Sequence, residues 1–81
     1  MNEQQIADKI KELLIDRLGL DADELTNDVA LFGDDGLGLD SIDSLEMIAA
    51  IDEEFGVSMT GVAKENFYNV DSLTKYVVEH Q

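Results

Sequence analysis

The chain contains no cysteine and no proline. Without cysteine it has neither a disulfide staple nor a thiolate metal site, so packing alone must hold it together. With no proline, no repeat and no low-complexity stretch, it offers no linker at which to divide it. No apolar run approaches the roughly 18 residues of a membrane span. The opening stretch MNEQQIADKIKEL is amphipathic and mixed in charge, unlike a signal peptide, so a cytoplasmic location is expected. Basic residues are scarce: 5 against 19 acidic, a net charge of −14. None stands between Arg17 and Lys64. Phosphate contacts need Lys and Arg, so nucleic acid is not an expected partner, and an anionic membrane surface would repel the chain.

What is present bounds the rest. Eighty-one residues make one small domain, 1–81. A domain of this size buries only about 60% of the surface its unfolded chain exposes, which leaves little room for an enclosed active site. A binding or carrier module fits better. High negative charge favours disorder, but 44% of residues are hydrophobic and they recur periodically. Asp40, Asp43, Glu46, Asp52, Glu53 and Glu54 crowd one segment. That crowding is either a plain solvated surface or a docking face for basic partners.

Residues 3–18 read as a helix, with Ile6, Ile10, Leu13, Leu14 and Leu18 at helical spacing and Gly19 as its stop. Residues 20–40 have neither helical nor strand period. Loops of that length are often functional, and Leu20, Leu25, Val29, Leu31 and Phe32 would tack this one onto the core. Its end, FGDDGLGLD, has three glycines, as suits a sharp turn or a close backbone approach. Residues 41–55 form the strongest helix. At about 100° per residue, Ser44, Met47, Ile48, Ile51 and Phe55 share the core face. Ile42, Leu45 and Ala49 fall near the opposite face, beside Glu46 and Glu53. Gly56 stops this helix, residues 61–67 make a short helical turn, and Asn69 caps a last helix whose inner stripe is Leu73, Tyr76 and Val77. The expected fold is all-α: a small four-helix bundle of three main helices and one short third helix, with a long first loop.

Ser41, in GLGLDSIDSLEM (residues 36–47), stands where the glycine-rich approach meets the second helix. A serine nucleophile needs a general base, and the only histidine is His80, near the end of the chain; no catalytic residue is expected. An EF-hand loop wants alternating acidic ligands, then Gly, then a closing Glu. If Glu46 closes it, the early ligand positions fall on Leu37 and Leu39 and the glycine position on Asp40, so no specific metal site is expected. Asp40 or Ser41 could be the helix cap, although a cap leaves the outward apolar residues unexplained. A serine attachment point for a phosphate-linked group explains both, because the group would meet the N-terminal N–H groups and dipole and the outer face would receive the attaching enzyme.

The stretch LGLDSIDSLEM resembles the phosphopantetheine attachment motif of the acyl carrier proteins, with Asp40-Ser41-Ile42 at its centre and Asp43 and Glu46 at the family's acidic positions. NDVALFGDDGLG, IDEEFGVSM and NVDSLTKYVVEH resemble the family's loop, the end of its second helix and its last helix, so the likeness runs the length of the chain. It implies a monomeric carrier, not an enzyme. Ser41 would bear 4′-phosphopantetheine taken from coenzyme A, and the arm's thiol would hold acyl groups of fatty-acid, polyketide or related lipid biosynthesis. Implied partners are a phosphopantetheinyl transferase and acyl-transfer, condensing and modifying enzymes with basic surfaces. They would dock on Asp40, Ile42, Asp43, Leu45, Glu46, Ala49 and Glu53. The acyl chain would retreat beside Ile48, Ile51 and Phe67. Alternatives are a peptidyl or aminoacyl carrier, and a small acidic interaction protein without an arm. The chain departs from housekeeping fatty-acid carriers in its leucine-rich approach and Ile42, in TGVAKENF, where Thr60, Gly61 and Lys64 weaken an acidic face, and in Phe67, where the family usually has a smaller aliphatic residue. In these it looks more like carriers of specialised acyl pathways.

Overall fold

The computed structural model describes residues 2–81. It contains α1 (Glu3–Leu18), α2 (Ser41–Phe55), a 3-10 turn (Lys64–Phe67) and α3 (Val70–His80). Among the described residues the only strand-like pairing is an isolated parallel bridge between Phe32 and Leu39. The all-α expectation therefore holds, with a short 3-10 turn where the third helix was expected.

Each long helix begins where a side chain satisfies the free N–H groups of its first turn. Asn2 Oδ1 accepts from Gln5 N at 2.8 Å, and Gln5 Oε1 accepts from Asn2 N at 2.9 Å. Asn69 Oδ1 accepts from Ser72 N at 2.7 Å and opens α3. Helix α1 stops at Gly19, whose left-handed backbone carries its N–H back to Ile15 O; a side chain there would meet steric cost.

Helix α1 packs against both α2 and α3, and the 3-10 turn packs against α3. The core is a single cluster. Ile6, Ile10 and Leu14 come from α1, Met47 and Ile51 from α2, and Val70, Leu73 and Val77 from α3, with Leu31 and Met59 from the connections. The period left several positions misplaced. Leu13 is only half-buried, and Ile15 packs against the core from that end of α1. Ala50, absent from the expected stripe, is buried on α2, which packs against α1. Tyr76, expected in the inner stripe of α3, is half-buried against the core.

The long first loop is anchored as expected. Leu25, Leu31 and Leu39 are buried, and Leu20, Val29 and Phe32 pack against the core. Two backbone bonds tie it to the far end of the chain: Leu31 N donates to Tyr68 O, and Asp71 N to Asn27 O, each at 3.0 Å. Its tip folds on itself through Leu37 N to Ala30 O and Leu39 N to Leu31 O. Gly36 lies so close to Ala30 that a Cβ there would stand 2.3 Å from Ala30 O. The glycine-rich sequence is thus a close approach as well as a turn, and it delivers Leu39 to the core and Asp40 to the start of α2. The short helical segment is narrower than the expected 61–67, since Gly61 takes a left-handed backbone (φ 78°) and the 3-10 turn begins at Lys64.

Candidate functional site

The start of α2 is built by Asp40. Its Oδ1 accepts from Ile42 N at 2.9 Å and from Asp43 N at 3.2 Å, while Asp43 Oδ2 accepts from Asp40 N at 2.9 Å. The cap is therefore Asp40 and not Ser41. Ser41 is exposed, and no hydrogen bond among the described residues engages its hydroxyl. Its carbonyl accepts from Ser44 Oγ at 2.7 Å, which occupies the neighbouring serine. A group attached at Ser41 would not meet free Ile42 and Asp43 N–H groups, as the sequence suggested, because Asp40 already holds them.

Beside Ser41 lies a cavity of about 490 Å³. Ser41, Ser44 and Ile48 of α2 form one wall, and Met59, Val62 and Phe67 contribute much of the rest. Lys64 is the only basic side chain lining it. Of the residues expected around an acyl chain, Ile48 and Phe67 line this cavity. Ile51 does not: it lies three residues further along α2 and is 1% exposed in the core between the helices. Tyr68 is 57% exposed and also lines the cavity. No helical or strand period marks Tyr68, and the sequence set Phe32 against the core without connecting it to Ser41.

The outward side of α2 is not a plain charged face. Ile42 is 74% exposed and Leu45 66%, with Ala49 exposed beside them. At about 100° per residue these three form a strip. Ser41 and Asp52 lie along one edge of it, and Glu46 and Glu53 along the other.

The carboxylates are less free than the sequence implied. Asp43 is half-buried and turned back to cap Asp40. Arg17 of α1 reaches across to α2, where its Nη1 donates to Glu46 Oε1 at 3.3 Å and its Nη2 donates to Glu53 Oε2. The hydrogen bonds with Glu53 and then Glu46 raise the Arg17 pKa above its ordinary value. Lys9 pairs with Glu54 at 3.7 Å further along the same seam. No spacing rule could reveal these contacts, since Arg17 lies 29 and 36 residues from its two partners.

Other chemistry is thin. His80 stacks on Tyr76 with ring centroids 3.9 Å apart, and its Nδ1 lies 2.8 Å from Tyr76 O; it does not line the cavity at Ser41. Among the described residues no group of three or more His, Cys, Asp or Glu is placed to hold a metal ion. No described helix is long and apolar enough to cross a membrane.

The family model of the phosphopantetheine attachment site matches residues 8–77. The chain belongs to this family. It is a phosphopantetheine-carrying protein, and the family's prosthetic group is covalently attached 4′-phosphopantetheine. Domains of the family are in general carriers rather than catalysts, and they meet phosphopantetheinyl transferases and acyl-handling enzymes. The residues at the start of α2 fit such a group: a primary hydroxyl open to solvent, free of capping duty, beside an apolar cavity with one lysine in its wall.

Proposed function

We propose that Ser41 is the attachment residue and that the protein carries acyl groups, without catalysing their chemistry, for enzymes of fatty-acid, polyketide or related lipid biosynthesis. The supporting observation is the division of labour at the start of α2: Asp40 takes the cap, so the Ser41 hydroxyl remains exposed and unbonded. Loading needs that hydroxyl. Its oxygen bonds to the coenzyme A phosphorus next to pantetheine, the pyrophosphate P–O bond breaks, adenosine 3′,5′-bisphosphate leaves, and the proton passes to the transferase. The attached group supplies a thiol on a long arm, on which an acyl group is held as a thioester.

The chain's own residues support the rest of the reading. Asp40 takes the Ile42 and Asp43 N–H groups, so the phosphodiester would be held at Ser41 chiefly by its covalent bond and would stay at the surface. The apolar walls of the neighbouring cavity, Ile48, Met59, Val62 and Phe67 among them, favour an acyl chain over an aminoacyl group, whose charged amine would lose hydration there. The strip Ile42, Leu45 and Ala49, with acidic edges, suits partners whose rims are basic.

The deciding experiment is intact mass before and after incubation with a phosphopantetheinyl transferase and coenzyme A. The parent gains one phosphopantetheine. Ser41→Ala gains none and keeps the parent's far-UV circular dichroism. A mass gain in Ser41→Ala would move the attachment to another serine, with exposed Ser58 the next to substitute.

A further inference from the structure

We infer that Arg17 is an in-chain competitor for the protein's basic partners: its guanidinium occupies the place on α2 that a partner's arginine or lysine must take. The inference rests on the reading of α2 as the docking face. Arg17 is a residue of α1, yet both its hydrogen bonds to other side chains run to α2, to Glu46 and Glu53. These carboxylates are seven positions apart, two helical turns, so they share one edge of the exposed apolar strip. Both remain partly open, with side chains 47% and 63% exposed, and can be reached while Arg17 holds them. One guanidinium spans them, and that contact shows the pair has the geometry to bind a planar cation.

The other carboxylates around the strip sort themselves by the same criterion. Asp40 and Asp43 are committed to each other's backbone. Asp52, on the opposite edge, has no side-chain partner among the described residues. A basic partner therefore meets Asp52 and the apolar strip directly, and gains Glu46 and Glu53 only by displacing Arg17. An exposed ion pair is weak enough to exchange at low cost. Arg17 thus sets how steeply association depends on the partner's own positive charge.

The experiment is loading kinetics with a phosphopantetheinyl transferase at low and high salt. It compares the parent, Arg17→Gln, Arg17→Lys and Lys75→Gln; the last removes the same charge from α3, away from the strip. Arg17→Gln should raise kcat/KM about two- to fourfold at low salt, through KM rather than kcat, and the gain should shrink as salt is added. Arg17→Lys, a cation without the two-pronged fork, should fall between Arg17→Gln and the parent. Lys75→Gln should change loading much less. Glu53→Gln should slow loading more in the Arg17→Gln background than alone, because only there is the carboxylate free. Equal effects of Arg17→Gln and Lys75→Gln would mean that net charge alone acts, and would overturn the inference. So would slower loading by an Arg17→Gln protein that melts like the parent, since Arg17 would then be helping the partner. Parent protein that fails to load at all would instead count against the attachment at Ser41, and Leu45→Asp loading at the parent rate would count against α2 as the face.

Discussion

Asp40 and Asp43 cap each other: the Asp40 carboxylate accepts from Asp43 N, and the Asp43 carboxylate accepts from Asp40 N. Two acidic side chains three positions apart in an acidic segment would repel, yet here each binds a backbone donor at the positive end of α2. Asp40→Ala should therefore destabilise the protein by about 1 kcal/mol, a fall in Tm of roughly 4–8 °C for a domain of this size. Thermal melting checks this. Asp40→Asn keeps an acceptor and should recover most of the loss. An unchanged Tm for Asp40→Ala would mean that Ser41 takes over the cap.

Gly36 tests the loop that presents that cap. A Cβ at this position would lie 2.3 Å from Ala30 O, and the obstacle is backbone. Gly36→Ala should cost about 1–3 kcal/mol, the range for forcing atoms into filled space. Hydrogen exchange should rise at Leu37 and Leu39, whose N–H groups close the loop tip. Gly33, where a Cβ would meet nothing within 4 Å but φ is 79°, should respond to alanine through backbone strain alone.

Salt should stabilise the protein. Nineteen acidic and five basic residues leave a net charge of −14, and only Lys9, Lys11 and Arg17 of those basic residues form ion pairs among the described residues. Screening weakens both the attractions and the more numerous repulsions, so Tm should rise as salt is added. Arg17, with its pKa raised, contributes stability that is fully present below its ordinary pKa and is lost only as pH climbs through the higher folded value. Ordinary alkaline pH therefore leaves its pairs with Glu46 and Glu53 intact, and salt is the lever that loosens them. A Tm that falls on adding salt would show that the ion pairs outweigh the repulsion.

How much of this was readable beforehand follows physical lines. Helix boundaries and caps are local, so Gly19, Asp40, Gly56 and Asn69 announced α1, α2 and α3 within a residue or two. The exposed strip of Ile42, Leu45 and Ala49 was legible because helical spacing alone separates it from Met47 and Ile51. The seam between α1 and α2 was not. It depends on the packing of two helices whose paired residues, Arg17 with Glu53 and Lys9 with Glu54, are far apart in the chain. Ile51, which the resemblance set beside the acyl chain, lies in the core and does not line the cavity at Ser41, a placement that depends on which helices pack around it. The part of Gly36 as a close approach was anticipated for the glycine cluster, but not which glycine meets Ala30.

Phe67 is 7% exposed and lines the cavity beside Ser41. A smaller side chain there should enlarge the space open to a carried chain. Phe67→Leu is preferable to alanine, because Phe→Ala in a core costs about 3–5 kcal/mol and would confuse unfolding with opening. On the acyl-loaded protein, Phe67→Leu should slow thioester hydrolysis for medium-length chains relative to the parent and leave the shortest chains unchanged. Equal hydrolysis rates at every chain length would show that the cavity does not shelter cargo.

The outward strip of α2 gives the most direct test of recognition. Ile42 and Leu45 are 74% and 66% exposed, so replacing either should alter folding stability by no more than about 0.5 kcal/mol. A loss of function there is then a loss of contact. Leu45 lies midway along the strip, between Ile42 and Ala49. An apolar residue at the centre of a small interface contributes through burial, whereas charged residues at its rim mainly speed encounter. Leu45→Asp should therefore lower kcat/KM for transferase loading by about tenfold, and added salt should not restore it. Glu46→Lys acts on the rim and also sets a second cation beside Arg17, so its loss should fall mainly on association and shrink as salt rises. Glu79→Lys, exposed on α3, should load at nearly the parent rate. If Leu45→Asp and Glu46→Lys both load like the parent while melting normally, the partner reads another surface, and the loop of residues 20–40 that leads to Ser41 is the next to mutate.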